Sequence, residues 1–386
     1  ATMTAEVFVY PDGQLRWVCD VPLEPVDSSG LLQPKAGCLS DDAISLCLLN
    51  EARIKYAAFE VAHYIMKDFS DDGPPSIEQI VEVCRLIEEK VQAGKQLRLW
   101  CPEGKKYASH RSFSALCAGA HRILVRGDSA KDAASSWAGM KIGFLAYSWV
   151  HKIQPLPARS LSLYKCLQAL EFARDSGWLD VRSFDGVEWR KRWHTYDLTC
   201  VIPNEILLGS DPLSTIIDPD PATVKYLTED DRPASDESST FASFLSNEGV
   251  KLIVRVNFPT EAGLKESYDP QAFVKHGFRH LDSPFVDLHG GVPPSNSLKR
   301  ILDECRDMAK GEVIYFHCKG GFGRSGLCAA VLAIDRYDVP GDVVLAWWRM
   351  CRPGTFTTQQ QVDFVSKLQG RADVEKLFAP LACCVV

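Results

Sequence analysis

The chain has 386 residues, and domains of about 100 to 200 residues make two separate cores the expectation. Hydrophobic residues make up 46% and charged residues 24%, and no run of about 18 uninterrupted apolar residues exists to span a bilayer. The net charge of −7 argues against broad nucleic-acid binding, which needs clustered Lys and Arg to neutralise phosphates.

Fourteen cysteines are scattered without a Cys-x2-Cys pair. Ala1 to Tyr10 lacks the basic start, apolar core and cleavage site of a signal peptide. Reduced intracellular thiols are therefore expected, with neither a disulfide framework nor structural zinc.

In chain order, Gln96 to Trp100 reads as a strand running into Cys101, followed by helical patterns at Arg111 to Val125 and Ser129 to Trp137. Pro155 and Pro157 look like a boundary, yet the amphipathic stretch Leu161 to Arg174 can still pack on the first domain. Asp185 to Asp197, with basic and aromatic residues crowded at Trp189 to Arg192, shows no clear core face and is taken as a linker. A strand is expected at Ile206 to Leu208. Asp218 to Ser239, rich in Pro, Asp, Glu and Ser, reads as a solvated loop.

Val250 to Val256 and Glu312 to Phe316 are short β-branched or aromatic runs of the kind buried in a parallel or mixed sheet. Helices are expected at Ser297 to Ala309, Ser325 to Asp335, Gly341 to Met350 and Thr358 to Leu368. This alternation implies α/β layers, and its weaker echo in the amino half suggests one fold used twice. The expected organisation is a first domain over 1–184, a linker over 185–197 and a second domain over 198–386.

The chemistry concentrates in His317-Cys318-Lys319-Gly320-Gly321-Phe322-Gly323-Arg324-Ser325-Gly326, between an apolar strand and an apolar helix. Cys-x5-Arg spacing proves little alone, because Cys47 and Arg53 share it in a Leu-rich segment without glycine. Here three glycines let consecutive amides converge on one anion, and a helix N-terminus at Ser325 aims at the same point. Such amides and the helix dipole favour a thiolate nucleophile, and Arg324 offers a planar fork for two phosphoryl oxygens. His317 is expected to brace the loop, Lys319 is a loop cation or a solvated charge, and Ser325 is a helix-start residue whose hydroxyl can reach the thiolate.

The same letters contain GxGxxG. A dinucleotide fold would place a second strand ending in an acid about 20 residues on, whereas Asp335 to Gly341 reads as a helix end and turn. No cofactor is expected.

A thiolate displacing an alcohol from phosphorus needs a proton donor for the leaving oxygen. Asp287, before a Gly- and Pro-containing loop, is favoured over Asp282. Hydrolysis of the thiophosphoryl enzyme needs a positioned water, for which Gln359, Gln360 and Gln361 are candidates.

These residues resemble the cell-division-cycle dual-specificity phosphatases of the Cdc-fourteen type, within the cysteine-dependent tyrosine phosphatase superfamily. The loop is similar to their HCKAGxGRTG, with Gly321 in the Ala position and Ser325 in the Thr position. Trp348-Arg349-Met350-Cys351-Arg352-Pro353-Gly354 followed by Gln360-Gln361 is similar to their WxRxCRPG and later Gln pair. Tyr268-Asp269, Phe273 to His280 and Phe285-Val286-Asp287 resemble the segment leading into the acid.

The resemblance implies two tandem dual-specificity-phosphatase-like domains, each a mixed central sheet flanked by helices, only the second catalytic. In the first, Trp100-Cys101 takes the place of the loop, and Tyr107 stands where an Arg is needed, leaving a substrate-binding and scaffolding half. In the second, Cys318 is implied as nucleophile, Arg324 with Lys319, Gly320, Gly321, Phe322 and Gly323 as the phosphate cradle, His317 as loop support, Ser325 beside the thiolate, Asp287 as acid, and Gln360 and Gln361 at the water.

The implied substrates are phosphoproteins: phosphoserine or phosphothreonine before proline, made by cyclin-dependent kinases, and phosphotyrosine. The implied workplace is cytoplasm or nucleus, including centrosome, basal body or spindle. No metal or nucleic acid is implied, and no membrane contact unless the Cys383 box carries a prenyl group. Two departures stand out. Arg190, Lys191 and Arg192 occupy a region the family makes acidic, and Gly290 to Pro294 replaces its shorter DGSTPS acid loop. A phosphoinositide phosphatase, which adds loop lysines, and a phosphoprotein-binding scaffold without turnover are the alternatives. Cys328 and Cys351 are candidate resolving thiols.

Overall fold

Two units separate between Phe184 and Asp185. The computed structural model describes residues 5–10, 12–25, 32–35, 44–47, 73–104, 108–138, 140, 144, 146–147, 161–213, 226–236, 239–261, 263–287, 291–309 and 311–379. Arg53, Tyr107, Pro155, Pro157, Gly290, Cys383 and the first part of the 218–239 loop lie outside them.

The first unit contains strands β1 (Ala5–Phe8), β2 (Leu15–Val21), β3 (Leu23–Pro25), β4 (Leu32–Pro34) and β5 (Ile44–Cys47), helix α1 (Ile77–Gln92) and strand β6 (Leu97–Pro102). Helices α2 (Ala108–Leu124), α3 (Ala130–Ser135) and α4 (Leu163–Asp175) follow. The sheet runs β1-β2-β6-β5, with β6 between two parallel partners and β1 antiparallel at the edge. Every residue of β6 is buried, as a strand covered on both faces must be. Helix α1 starts where Ser76 accepts from the Gln79 amide and Gln79 reaches back, a reciprocal cap that satisfies two orphan donors.

Asp185 to Asp197 is not a linker. Asp185 accepts from the amides of Val187 and Glu188 and caps α5 (Gly186–Tyr196), which opens the second unit. Trp189, Trp193 and Tyr196 fall on one helical stripe and are buried, while the basic residues between them face outward or pair. Arg192, for example, holds Glu248 through two bonds of 3.0 Å.

Strands β7 (Leu198–Ile202) and β8 (Ile206–Ser210), helix α6 (Phe241–Asn247), strand β9 (Val250–Arg255), the short helix α7 (Gln271–Val274) and strand β10 (Arg279–Asp282) come next. Helix α8 (Ser295–Arg306), strand β11 (Val313–Cys318) and helices α9 (Arg324–Tyr337), α10 (Gly341–Cys351), α11 (Gln359–Lys367) and α12 (Arg371–Lys376) complete the unit. The sheet order is β10-β9-β11-β8-β7, parallel except at β7. Alternate residues divide the faces. Leu207, Ile253 and Tyr315 join Tyr196, Phe241, Phe244 and Phe273 in one cluster, and α9 packs on β11 and β8. The layers are those of an α/β fold, and β11, the middle strand, delivers Cys318.

Candidate active site

Because β8, β9, β10 and β11 run parallel, the segments leaving them emerge at one end of the sheet, where α/β proteins bind ligands. Asp211 follows β8, Asn257 and Glu261 follow β9, Asp287 follows β10, and Cys318 ends β11. Residues far apart in sequence meet there for that reason alone.

Cys318 is 3% exposed. Its sulfur accepts from the Gly321 amide at 3.2 Å and the Ser325 hydroxyl at 3.3 Å, two donors that stabilise negative charge on it. Gly321 has φ 73°, and a Cβ there would sit 2.3 Å from the carbonyl carbon of Gly209, so only glycine lets the loop press against β8. Gly320 is half-buried and Phe322 and Gly323 are buried. The ammonium of Lys319 is committed to Asp211 at 3.4 Å and to the Lys265 carbonyl.

Arg324 opens α9 and is 1% exposed. Nη1 and Nη2 donate to the two carboxylate oxygens of Glu261 at 2.6 and 3.0 Å, and Nη1 also reaches the Phe285 carbonyl at 3.2 Å. Asp287 Oδ2 stands 3.3 Å from Nη2, its side chain half exposed. Burial pushes the Asp287 carboxyl up, and the negative Glu261 adds to this against the opposing pull of Arg324. A carboxyl so placed keeps its proton to higher pH, as a general acid requires. The rival Asp282 is spent on a two-point ion pair with Arg255.

His317 is fully buried, its Nε2 2.7 Å from the Tyr268 hydroxyl, which also lies 2.8 Å from His280 Nε2. One hydroxyl hydrogen serves two rings, so Tyr268 donates to one and accepts from the other. Burial pushes both imidazoles down, and neutral rings suit a brace rather than a base.

The glutamines divide. Gln361 is fully buried, and its Oε1 accepts from the Thr357 amide at 2.9 Å. A Cβ on Gly323 would stand 2.8 Å from its Nε2, an atom without a hydrogen-bond partner among the described residues. Gln360 is exposed, and Gln359 turns to Asp363 at 2.8 Å. Of the three, Gln361 is the one brought to the loop.

Two residues escaped the sequence reading as parts of the site: Glu261 on Arg324, and Arg352 beneath the loop. Arg352 bonds the Gly321 carbonyl at 2.8 Å and Asp197 at 2.7 Å, and its guanidinium lies 4.4 Å from the ring centre of Phe322. A fully buried arginine needs carbonyl and carboxylate partners, so an Arg directly after an apolar helix was the available signal.

Cys328 lies fully buried in α9 and Cys351 at the end of α10, and burial pushes both thiols up. In the first unit Cys101 sits near the end of β6, its thiol pushed up to about 12 by burial, 3.7 Å from the Val18 carbonyl. The nearby Arg111 is tied to Asp20 at 2.6 Å.

Over 311 residues the chain is 29% identical to the tyrosine-protein phosphatase cdc-14 of Caenorhabditis elegans, which covers 78% of this chain and 40% of that protein. It is 27% identical over 322 residues to the human dual specificity protein phosphatase CDC14C, covering 78% and 63%. The chain is similar to the CDC14 phosphatases over 78% of its length. The CDC14 homolog of Schizosaccharomyces pombe matches at 27% over 203 residues, 52% of this chain and 35% of that one. The two longer matches exceed the length of either unit, so the CDC14 likeness draws on both. The chain spans about 40% to 63% of the length of these first two CDC14 proteins. No protein-family model matches it.

Proposed function

We propose that the second unit is a cysteine-dependent protein phosphatase. The observation that carries this is the Cys318 sulfur, held by an amide at 3.2 Å and a hydroxyl at 3.3 Å at the start of the helix that begins with a buried Arg324, with a carboxyl 3.3 Å from that Arg. Cys318 attacks phosphorus in line, the bond to the leaving oxygen breaks, and Asp287 gives that oxygen its proton. Arg324 and the loop amides carry the transition-state charge. Water then cleaves the thiophosphoryl bond, with Gln361 orienting it and the Asp287 carboxylate accepting its proton.

Phosphoproteins are the proposed substrates. The choice of phosphoserine or phosphothreonine before proline, and of phosphotyrosine, rests on the CDC14 likeness, as do the non-catalytic, substrate-binding role of the first unit and an intracellular workplace. The phosphoinositide alternative loses support because Lys319, the loop's only lysine, already serves Asp211.

Single-turnover kinetics with an aryl phosphate test the proposal. A burst of one phenol per chain, abolished in Cys318→Ser, is expected. A chain that binds phosphopeptide and releases no phenol is the scaffold instead.

A further inference from the structure

Both cations of the loop are matched by a carboxylate. Arg324 is paired with Glu261 at 2.6 and 3.0 Å, and the buried Lys319 ammonium meets Asp211 Oδ2 at 3.4 Å and the Lys265 carbonyl. Asp211, fully buried just past the end of β8, grips Lys319 at two levels. Its amide donates to the Lys319 carbonyl at 3.2 Å, and its carboxylate takes the ammonium. The carboxylate is itself fixed: Oδ1 accepts from the Leu213 amide at 3.0 Å and Oδ2 from Asn257 Nδ2 at 3.2 Å. Three donors on one buried carboxylate favour its ionised form.

We propose that Asp211 is a specificity-determining residue: by drawing the Lys319 ammonium toward the end of β8, it denies that charge to a second phosphate beside the one being cleaved, and so selects substrates with an isolated phosphoryl group. The proposal rests on the phosphatase reading and adds a selection rule to it. Lys319 follows the nucleophile directly, and its flexible four-carbon stem gives the ammonium a choice of directions. Asp211 makes that choice.

A ligand with clustered phosphates is held by surplus positive charge at the mouth of a site. Here each loop cation already has its own carboxylate, so recognition falls to the geometry of amides and guanidinium around one phosphoryl group. Asp211 touches no substrate. It acts by withholding a contact from the wrong ligand, which is discrimination against a competitor rather than extra affinity for the right one. A second phosphate therefore brings its own charge to the loop without finding a free ammonium there.

The test uses the whole chain and two peptides of one sequence, one carrying a single phosphoserine and the other a second phosphoserine beside it. Asp211→Asn frees Lys319 and should raise the ratio of kcat/KM for the doubly over the singly phosphorylated peptide by about tenfold, the worth of one charge-assisted contact. Adding Lys319→Gln to Asp211→Asn should return the ratio to its wild-type value, a reversal that a merely structural Asp211 would not give. A ratio that Asp211→Asn leaves unmoved, or one that rises and stays up in the double variant, overturns the proposal. If wild type cleaves neither peptide, the phosphatase reading fails. Binding of pyrophosphate relative to orthophosphate, tightened by the same factor in Asp211→Asn, then still decides what Asp211 does. Should Asp211→Asn not fold, Asp211→Ser, which removes the charge and keeps an acceptor for the Leu213 amide, is read in the same way.

Discussion

The Nε of Arg352 donates to the Gly321 carbonyl at 2.8 Å, while its Nη2 holds Asp197 at 2.7 Å, and both side chains of that ion pair are fully buried. Asp197 closes α5 in a left-handed conformation, φ 49°. One arginine therefore joins the end of a helix, the stacked Phe322 and the turn of the loop that holds Cys318. The loop's shape is set from behind as much as by its own glycines.

Removing the charge at this point leaves a buried carboxylate alone. Arg352→Met should lose about 3 to 5 kcal/mol of stability, the usual cost of orphaning one member of a buried pair, seen as a lower denaturation midpoint. Asp197→Asn should lose stability too, and the double variant should lose less than the sum. Strict additivity would mean that the pair is not coupled.

The acid is tested by leaving group and by pH. Asp287→Asn should slow poor leaving groups by about 10²- to 10⁴-fold and activated aryl phosphates far less. In wild type, kcat/KM should fall as pH rises through the Asp287 pKa, because the protonated form is the working one. Since burial raises that pKa, the limb should lie above the ordinary aspartate range and vanish in the Asn variant. A limb that survives would belong to another group.

Much of this was legible because the chemistry is local. The loop Cys318 to Ser325, the strand before it and the helix after it are contiguous, and their glycines announce the turn. What was not legible depends on distance or on pattern. Glu261 and Arg324 lie 63 positions apart, and Asp197 and Arg352 lie 155 apart; the parallel order of β9 and β11 brings the first pair to one end, and Asp197 reaches that end because it precedes β7, which runs antiparallel to β8. Helix α5 was missed because its stripe of Trp189, Trp193 and Tyr196 is interrupted by Arg190, Lys191 and Arg192, which reads as a charged run until the period is counted. The glutamine run could not be divided by sequence, since three identical side chains differ only in which way a helix turns them.

That division makes the third prediction. Gln361→Ala should leave the first phenol burst intact and slow its second phase, so that phosphorylated Cys318 accumulates and is trapped by acid quench. Gln360→Ala, at an exposed position, should do neither. Equal effects from the two substitutions would remove the water-positioning role from Gln361.

Gly321→Ala tests whether the loop's contact with β8 matters. The left-handed φ of 73° already strains an alanine, and its Cβ would have to displace main-chain atoms of Gly209 and Ser210 found at 2.3 to 2.5 Å, where no flexible side chain can give way. Strain of this kind costs about 1 to 3 kcal/mol, and the loop can relieve it only by lifting off β8, which draws the Gly321 amide from the sulfur it now meets at 3.2 Å. Turnover should fall by more than tenfold, about the worth of one lost oxyanion-type donor, while the thermal midpoint drops by only a few degrees. A variant that loses stability and keeps full turnover would show that the Cys318 sulfur does not need this amide.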